Sequence, residues 1–140
     1  MPHVTLDYTA GLEPALDVRA LCTALAAALA GQRDGRGEPV FPLGGTRVFA
    51  RPATAAAVAD GDPSHQFLYL HVRIAPGRSP EAVRRAGESL VHAVEAAIAP
   101  LLGGRTVGWT LQIDEQSVVF EHKGGGNLKA TLARADPGRP

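Results

Sequence analysis

Pro2 follows Met1 directly and precedes the run His3-Val4-Thr5-Leu6-Asp7-Tyr8, and no other residue of this chain offers as much chemistry. Inside a chain, a proline nitrogen is an amide without a proton and has no basicity. Loss of Met1, which a small second residue such as proline permits, makes it a secondary amine at a chain terminus. A free α-amino group titrates at about 7.7–8.0, so a modest downward push turns it into a general base able to shuttle protons near neutrality. The plainer reading is that proline is common near chain starts and Pro2 merely opens a strand. The other reactive side chains are less promising. His3, His65, His92 and His122 have no metal-ligand spacing with one another or with Cys22, so no metal site is expected. Gly44-Gly45-Thr46 and Gly124-Gly125-Gly126 lack the pattern of phosphate-binding loops and read as turns. No serine–histidine–acid set announces itself.

The elements that must position Pro2 follow from periodicity. Val4, Leu6 and Tyr8 alternate with His3, Thr5 and Asp7, the signature of a half-buried strand. A helix is expected from about Pro14 to about Ala30, with Leu21, Leu25 and Leu29 on one stripe. The polar connector 32–39 and the turn Phe41-Pro42-Leu43-Gly44-Gly45 lead to a strand from about Thr46 to Arg51. Residues 52–65 read as a long loop, with Asp60-Gly61-Asp62-Pro63 as a turn signal.

The second half repeats the plan. Residues 66–74 form a strand with Phe67, Tyr69, His71 and Arg73 on one face and Leu68, Leu70, Val72 and Ile74 on the other. Ser79 caps a second helix, with Pro80 in its first turn, which Gly103-Gly104 ends. A fourth strand spans Val107–Ile113, Val118–His122 adds a short edge piece, and the tail from Arg134 looks disordered. Residues 1–133 then make a single domain and 134–140 a tail. Strand–helix–strand, twice, implies parallel pairing within each half. Two helices cover only one face of such a sheet. The strand at 66–74 is apolar on both faces, so self-association is the economical way to cover the other.

Composition narrows the class. The 140 residues suit one domain, and 14 basic against 14 acidic side chains leave no footprint for nucleic acid or a membrane surface. A lone cysteine, Cys22, fits a reducing compartment. No apolar stretch approaches the roughly 20 residues that span a bilayer, and the start is not a secretory signal. These features describe a cytoplasmic protein.

The start Pro2–Tyr8, Phe41-Pro42-Leu43-Gly44-Gly45-Thr46-Arg47, Ala59-Asp60-Gly61, Tyr69-Leu70-His71-Val72 and Gly77-Arg78-Ser79 resemble the 5-carboxymethyl-2-hydroxymuconate isomerase family. That family belongs to the tautomerase superfamily, with macrophage migration inhibitory factor. The resemblance runs in order to about Leu128. It implies an α+β (α/β) fold of two βαβ units with pseudo-twofold symmetry: a four-stranded mixed sheet with two helices on one face, assembled as a homotrimer. It also implies a cofactor-free isomerase of aromatic catabolism acting on a small carboxylate substrate. The family's catalytic proline falls on Pro2, and its two carboxylate-holding arginines fall on Arg47 and Arg78. Here Ala75-Pro76-Gly77 stands where the family has an earlier glycine. Arg51, on the same strand face as Arg47, is a further candidate for the anion-binding role. The connector 32–39 is longer than in the family, and Glu121–Leu128 is glycine-rich where the family has bulkier residues.

Arginine suits the role, since its planar fork makes paired hydrogen bonds to a carboxylate and keeps its charge. Taken singly, Arg47 reads as a surface or salt-bridge residue. Arg78 beside a helix start opposes the helix dipole, which an anionic ligand would offset. His71 reads as packed or hydrogen-bonded. Two rivals stand beside the muconate isomerase. One is a phenylpyruvate-type tautomerase on the same scaffold. The other is a non-enzymatic trimeric binding protein, should Met1 be retained.

Overall fold

Val4, Leu6 and Tyr8 point into the core and His3, Thr5 and Asp7 away from it in strand β1 (His3–Thr9) of the computed structural model. The structure describes residues 1–124 and 126–135. Helix α1 spans Val18–Ala30 and starts about one turn later than the expected Pro14. The reason is local. Asp17 is the stronger cap, its carboxylate accepting from Ala20 N at 2.9 Å, and the segment before it closes on itself. There the Ala15 and Leu16 amides donate to Leu12 O, so Leu12 and Leu16 reach the core from a connector, not from the helix.

Strand β2 (Arg47–Ala53) pairs parallel with β1, and strand β3 (His65–Ile74) pairs antiparallel with β1 on its other side. Helix α2 (Pro80–Ile98) starts as expected, with Ser79 Oγ accepting from Ala82 N at 3.2 Å and Glu81 in the first turn. Strand β4 (Thr106–Glu115) pairs parallel with β3. The sheet order is β2-β1-β3-β4: two βαβ units meeting along the antiparallel β1–β3 seam. Leu21, Leu25 and Leu29 of α1, with Ala86, Leu90, Val94 and Ile98 of α2, seal one sheet face over Val4, Leu6, Leu68, Leu70 and Val72.

The other face is more polar than expected. Phe67 lies across Gly108, where a Cβ would come within 3.0 Å of its ring. Next to it Tyr69 Oη donates to Gln112 Oε1 at 2.7 Å, and His71 Nε2 lies 2.7 Å from Asp114 Oδ2. Phe49 of β2 stands exposed on this face.

After β4 the chain departs from expectation. Val118–His122 is not a strand: Gln116 N donates to Ile74 O at 3.0 Å, and the chain then leaves the ladder. It does not fold back along the β4 edge, so residues 118–122 find no strand to pair with. Val118, Val119 and Phe120 are exposed as a result. A third helix, α3 (Leu128–Ala135), follows and includes Arg134, where the tail was expected to begin. The rest of that expected tail, 136–140, lies outside the described residues.

Leu70 sits on a central strand with no exposed surface. Truncation there removes buried methyl groups and leaves a cavity, so Leu70→Ala should cost about 2–5 kcal/mol. Urea unfolding checks this: a lower midpoint at unchanged slope is the expected result.

Candidate active site

The topology gathers several chain segments at one corner of the sheet. β1 and β2 run parallel, so both begin at this end. β3 runs the other way, so it finishes there, with His3 in register with Arg47 on one side and Arg73 on the other. The turn after β3 and the cap of α2 therefore sit at the same end, and they carry Arg78.

Pro2 is buried, and its carbonyl accepts from Arg47 N at 3.1 Å, the first rung joining the chain start to β2. The turn before β2 makes room for it. A Cβ on Gly45 would stand 2.9 Å from Met1 Cγ and 3.2 Å from Pro42 Cγ, so glycine lets the turn lie close against the chain start. Arg47 is held back over this turn, its Nη1 donating to Gly44 O at 3.0 Å and Thr46 O at 2.8 Å. That leaves the rest of its fork open.

Arg78 is fixed more tightly. Nη1 donates to Ala75 O at 2.6 Å, and the guanidinium lies 4.8 Å from the centre of the Phe41 ring. Gly77, at φ +101°, supplies the left-handed residue that brings Arg78 round after β3. Arg78 Nε is nonetheless buried without a partner among the described residues. A buried donor left in that state costs about 1–3 kcal/mol, so the site is built short of an acceptor.

The charges around the terminus are mostly positive. The α-amine of the described chain, on Met1, is held below the ordinary α-amine range. Burial is the main cause, followed by the charges of Arg78 and Lys123, with Glu121 opposing them. His3 is likewise pushed down, first by burial, then by Arg73, the terminal amine and Arg47. Both effects favour neutral bases at neutral pH. An amine whose neutral form is favoured, flanked by cations and an unfilled guanidinium donor, is equipped to move a proton on an anionic molecule.

Pro2, Arg47 and Arg78 thus come to one corner. Arg51 does not join them within one chain. It is exposed in register with Asp7, four residues or about 13 Å further along β2. Sequence reasoning missed Phe41 as the seat of Arg78, Arg73 as a neighbour of His3, and the pair Glu121–Lys123. Only the antiparallel register could have shown Arg73. Of the last pair, Glu121 lies within the misread strand 118–122 and Lys123 just after it.

The family model of 5-carboxymethyl-2-hydroxymuconate isomerase matches residues 2–132. A crystal structure of 5-carboxymethyl-2-hydroxymuconate delta-isomerase superposes with a TM-score of 0.87 at 43% identity, covering 94% of this chain and 93% of that one. The 5-carboxymethyl-2-hydroxymuconate Delta-isomerase of Escherichia coli is 25% identical over 115 residues, 82% of this chain and 86% of that protein. A fused 4-OT wild-type symmetric trimer shares the fold at 21% identity, with a TM-score of 0.60 over 91% of this chain and 98% of that one.

Because the Arg78 charge pushes the amine pKa down, removing that charge should raise it. In Arg78→Gln an NMR titration of the terminal residue should give a higher midpoint than in the parent, leaving less neutral amine at pH 7. An unchanged or lower midpoint contradicts the electrostatic reading.

Proposed function

The chain belongs to the 5-carboxymethyl-2-hydroxymuconate isomerase family, within the tautomerase superfamily, and from that premise we propose that it is a cofactor-independent isomerase whose proton carrier is Pro2. The substrate is a 2-hydroxymuconate-type dienol such as 5-carboxymethyl-2-hydroxymuconate, and the role is in aromatic catabolism in the cytoplasm. With Met1 removed, the Pro2 nitrogen becomes the amine at the buried, cation-flanked chain start. As a neutral base it takes the enol hydroxyl proton while the carbonyl forms. The double bonds shift, and the resulting ammonium returns a proton to a carbon of the conjugated chain. The product is the unsaturated keto acid, and no atom or electron is gained or lost.

Arg47 and Arg78 hold substrate carboxylates, and positive charge near the dienolate oxygen stabilises it. One observation carries this reading: the buried Arg78 Nε, unpartnered among the described residues, at the chain-start corner where burial and the Arg78 charge push the α-amine of Met1 down. A carboxylate satisfies the first and is drawn by the positive field around the second. Arg51 enters the substrate site only if a neighbouring subunit approaches the open sheet face.

The working unit in this reading is a homotrimer of one domain each, residues 1–133. The uncovered sheet face, the exposed Phe49 and the exposed run Val118–Phe120 support an assembly. The same fold in a solved trimer agrees with that number of subunits.

Two measurements test the proposal. Intact mass of the purified protein should lack one methionine. Pro2→Ala should then slow ketonisation of a 2-hydroxymuconate-type dienol by at least roughly a hundredfold, the usual contribution of a general acid–base group. Retained activity in Pro2→Ala sinks the mechanism. Faster turnover of a monocarboxylate enol such as phenylpyruvate than of the dicarboxylates would instead favour the phenylpyruvate-type tautomerase.

A further inference from the structure

The chain after β4 ends up at the corner that holds the terminus. Its departure is fixed by Gln116 N donating to Ile74 O, at the end of β3 and just before the turn that carries Arg78. Its arrival is fixed on the far side of β1, where α3 packs on the turn 43–45 before β2. Leu132 Cδ1 lies there 3.7 Å from the position of a Gly44 Cβ. Between these anchors the chain must pass the ends of β3 and β1, and hence the start of the chain. Two oppositely charged side chains lie on that path: Lys123 Nζ stands 3.1 Å from Glu121 Oε2.

We infer that Lys123 is a third carboxylate-binding cation of the site, and that Glu121 is the counter-ion it exchanges for a substrate carboxylate. The inference rests on the isomerase reading and extends it to substrate choice: the pair selects acids with a third carboxylate over those with two or one.

Three observations support it. The first is position, since the segment that carries Glu121 and Lys123 is anchored at the end of β3 and at the turn before β2, on the two sides of the corner where Arg47, Arg78 and the terminus meet. Consistent with this, the terminal amine feels both Lys123 and Glu121, and His3 feels Glu121. The second is lability. Both partners are largely exposed, at 62% for Lys123 and 46% for Glu121, and exposed ion pairs of this kind hold weakly. A carboxylate already anchored on Arg78 therefore displaces Glu121 with little opposition. The third is chemical fit. Lysine carries a compact charge with three donors on a flexible stem, suited to a peripheral carboxylate whose position varies between substrates. The two arginines hold the fixed ends. Acids with fewer carboxylates leave Lys123 with Glu121 and gain nothing from it.

The test uses the full chain with Met1 removed and three saturated acids that cannot react: propane-1,2,3-tricarboxylate, glutarate and butyrate. Calorimetric titration should rank them in that order. Lys123→Gln should weaken the tricarboxylate by roughly tenfold, as expected for one charge-assisted hydrogen bond, and compress its advantage over glutarate. Lys123→Arg should restore it, and Glu121→Gln should tighten it. On the reactive dienol, Lys123→Gln should raise KM more than it lowers kcat. If Lys123→Gln leaves the tricarboxylate-to-glutarate ratio within twofold, or Glu121→Gln weakens binding as Lys123→Gln does, the inference is overturned. In the latter case the pair only clamps the strap. The two proposals fail separately. Isomerisation without Lys123-dependent binding removes this inference and leaves the isomerase. Lys123-dependent tricarboxylate binding without isomerisation removes the isomerase and leaves the binding role. If the parent protein neither binds the acids nor isomerises the dienol, both are overturned.

Discussion

The hydrogen bond from Arg47 N to Pro2 O is the contact on which the corner depends. It is the first rung of a parallel ladder, and such a ladder forms only if the chain returns through a crossover long enough to lay a helix on the sheet. The buried stripe Leu21, Leu25 and Leu29 supplies that helix. The rung then does two things. It holds the chain start in a buried place where an unanchored end would fray, and it sets the following side chains alternately into the core and out to the open face. A slip of one residue would put His3 into the core and expose Val4 and Leu6. Gly45 eases this rung, because a Cβ there would crowd Pro42 Cγ at 3.2 Å and, while Met1 is attached, its Cγ at 2.9 Å.

Electrostatics at the corner follow from the register. Pairing β1 antiparallel to β3 brings Arg73 beside His3, and pairing it parallel to β2 brings Arg47 to the other side. Like charges gathered this way raise the energy of the empty site and lower the proton affinity of its bases. Burial acts in the same direction and is the larger influence on both the amine and His3. The corner is thus poised for an anion, and the anion, once bound, raises those proton affinities again. A base whose neutral form is favoured in the empty site is ready to accept a proton, and a bound anion strengthens it for that step. The charges that would draw a carboxylate also set how readily the terminal amine holds a proton.

How much of this was legible in the sequence varies with the range of the interaction. Local signals read well: Ser79 and Pro80 start α2 as expected, and the alternation in 66–74 fixes which face of β3 is buried. The start of α1 was misplaced because Pro14 suits a first helical turn as well as Asp17 suits a cap; the Asp17 cap and the turn closed on Leu12 O decide between them, helped by the burial of Leu12 and Leu16 in the core. The segment 118–122 is β-branched and aromatic enough to read as a strand, yet strand propensity means little without a neighbour to pair with. α3 was missed because a glycine-rich run precedes a short helix; Leu128 and Leu132, one turn apart, were its only signal. At the site, Pro2, Arg47 and Arg78 were visible through the family pattern. The contacts that immobilise Arg78, on Phe41 and Ala75, belong to the folded chain alone.

The pseudo-twofold axis between β1 and β3 relates the two ends of the sheet, and comparing them isolates what is special about one. At the far end β3 starts where β1 ends. Gln66 fills that corner, accepting from Thr9 Oγ1 at 2.6 Å and donating to Pro63 O, and it lies so close to Gly11 that no Cβ fits. Arg105 follows the Gly103-Gly104 turn much as Arg47 follows Gly44-Gly45, and its Nη1 donates to Gly11 O. Gln66, the buried polar side chain of that corner, finds protein partners at both of its amide atoms. The near end has the same strands, the same kind of glycine turn and an arginine in the same place, but it leaves the buried Arg78 Nε empty and puts a chain terminus where, at the other end, the chain runs in from the loop before β3. Duplicating a stable scaffold does not produce that difference, because packing alone favours the satisfied version. Among the described residues, the unsatisfied side-chain donor stands at the end that also has an amine to titrate, which is the arrangement expected if a charged ligand completes the structure there.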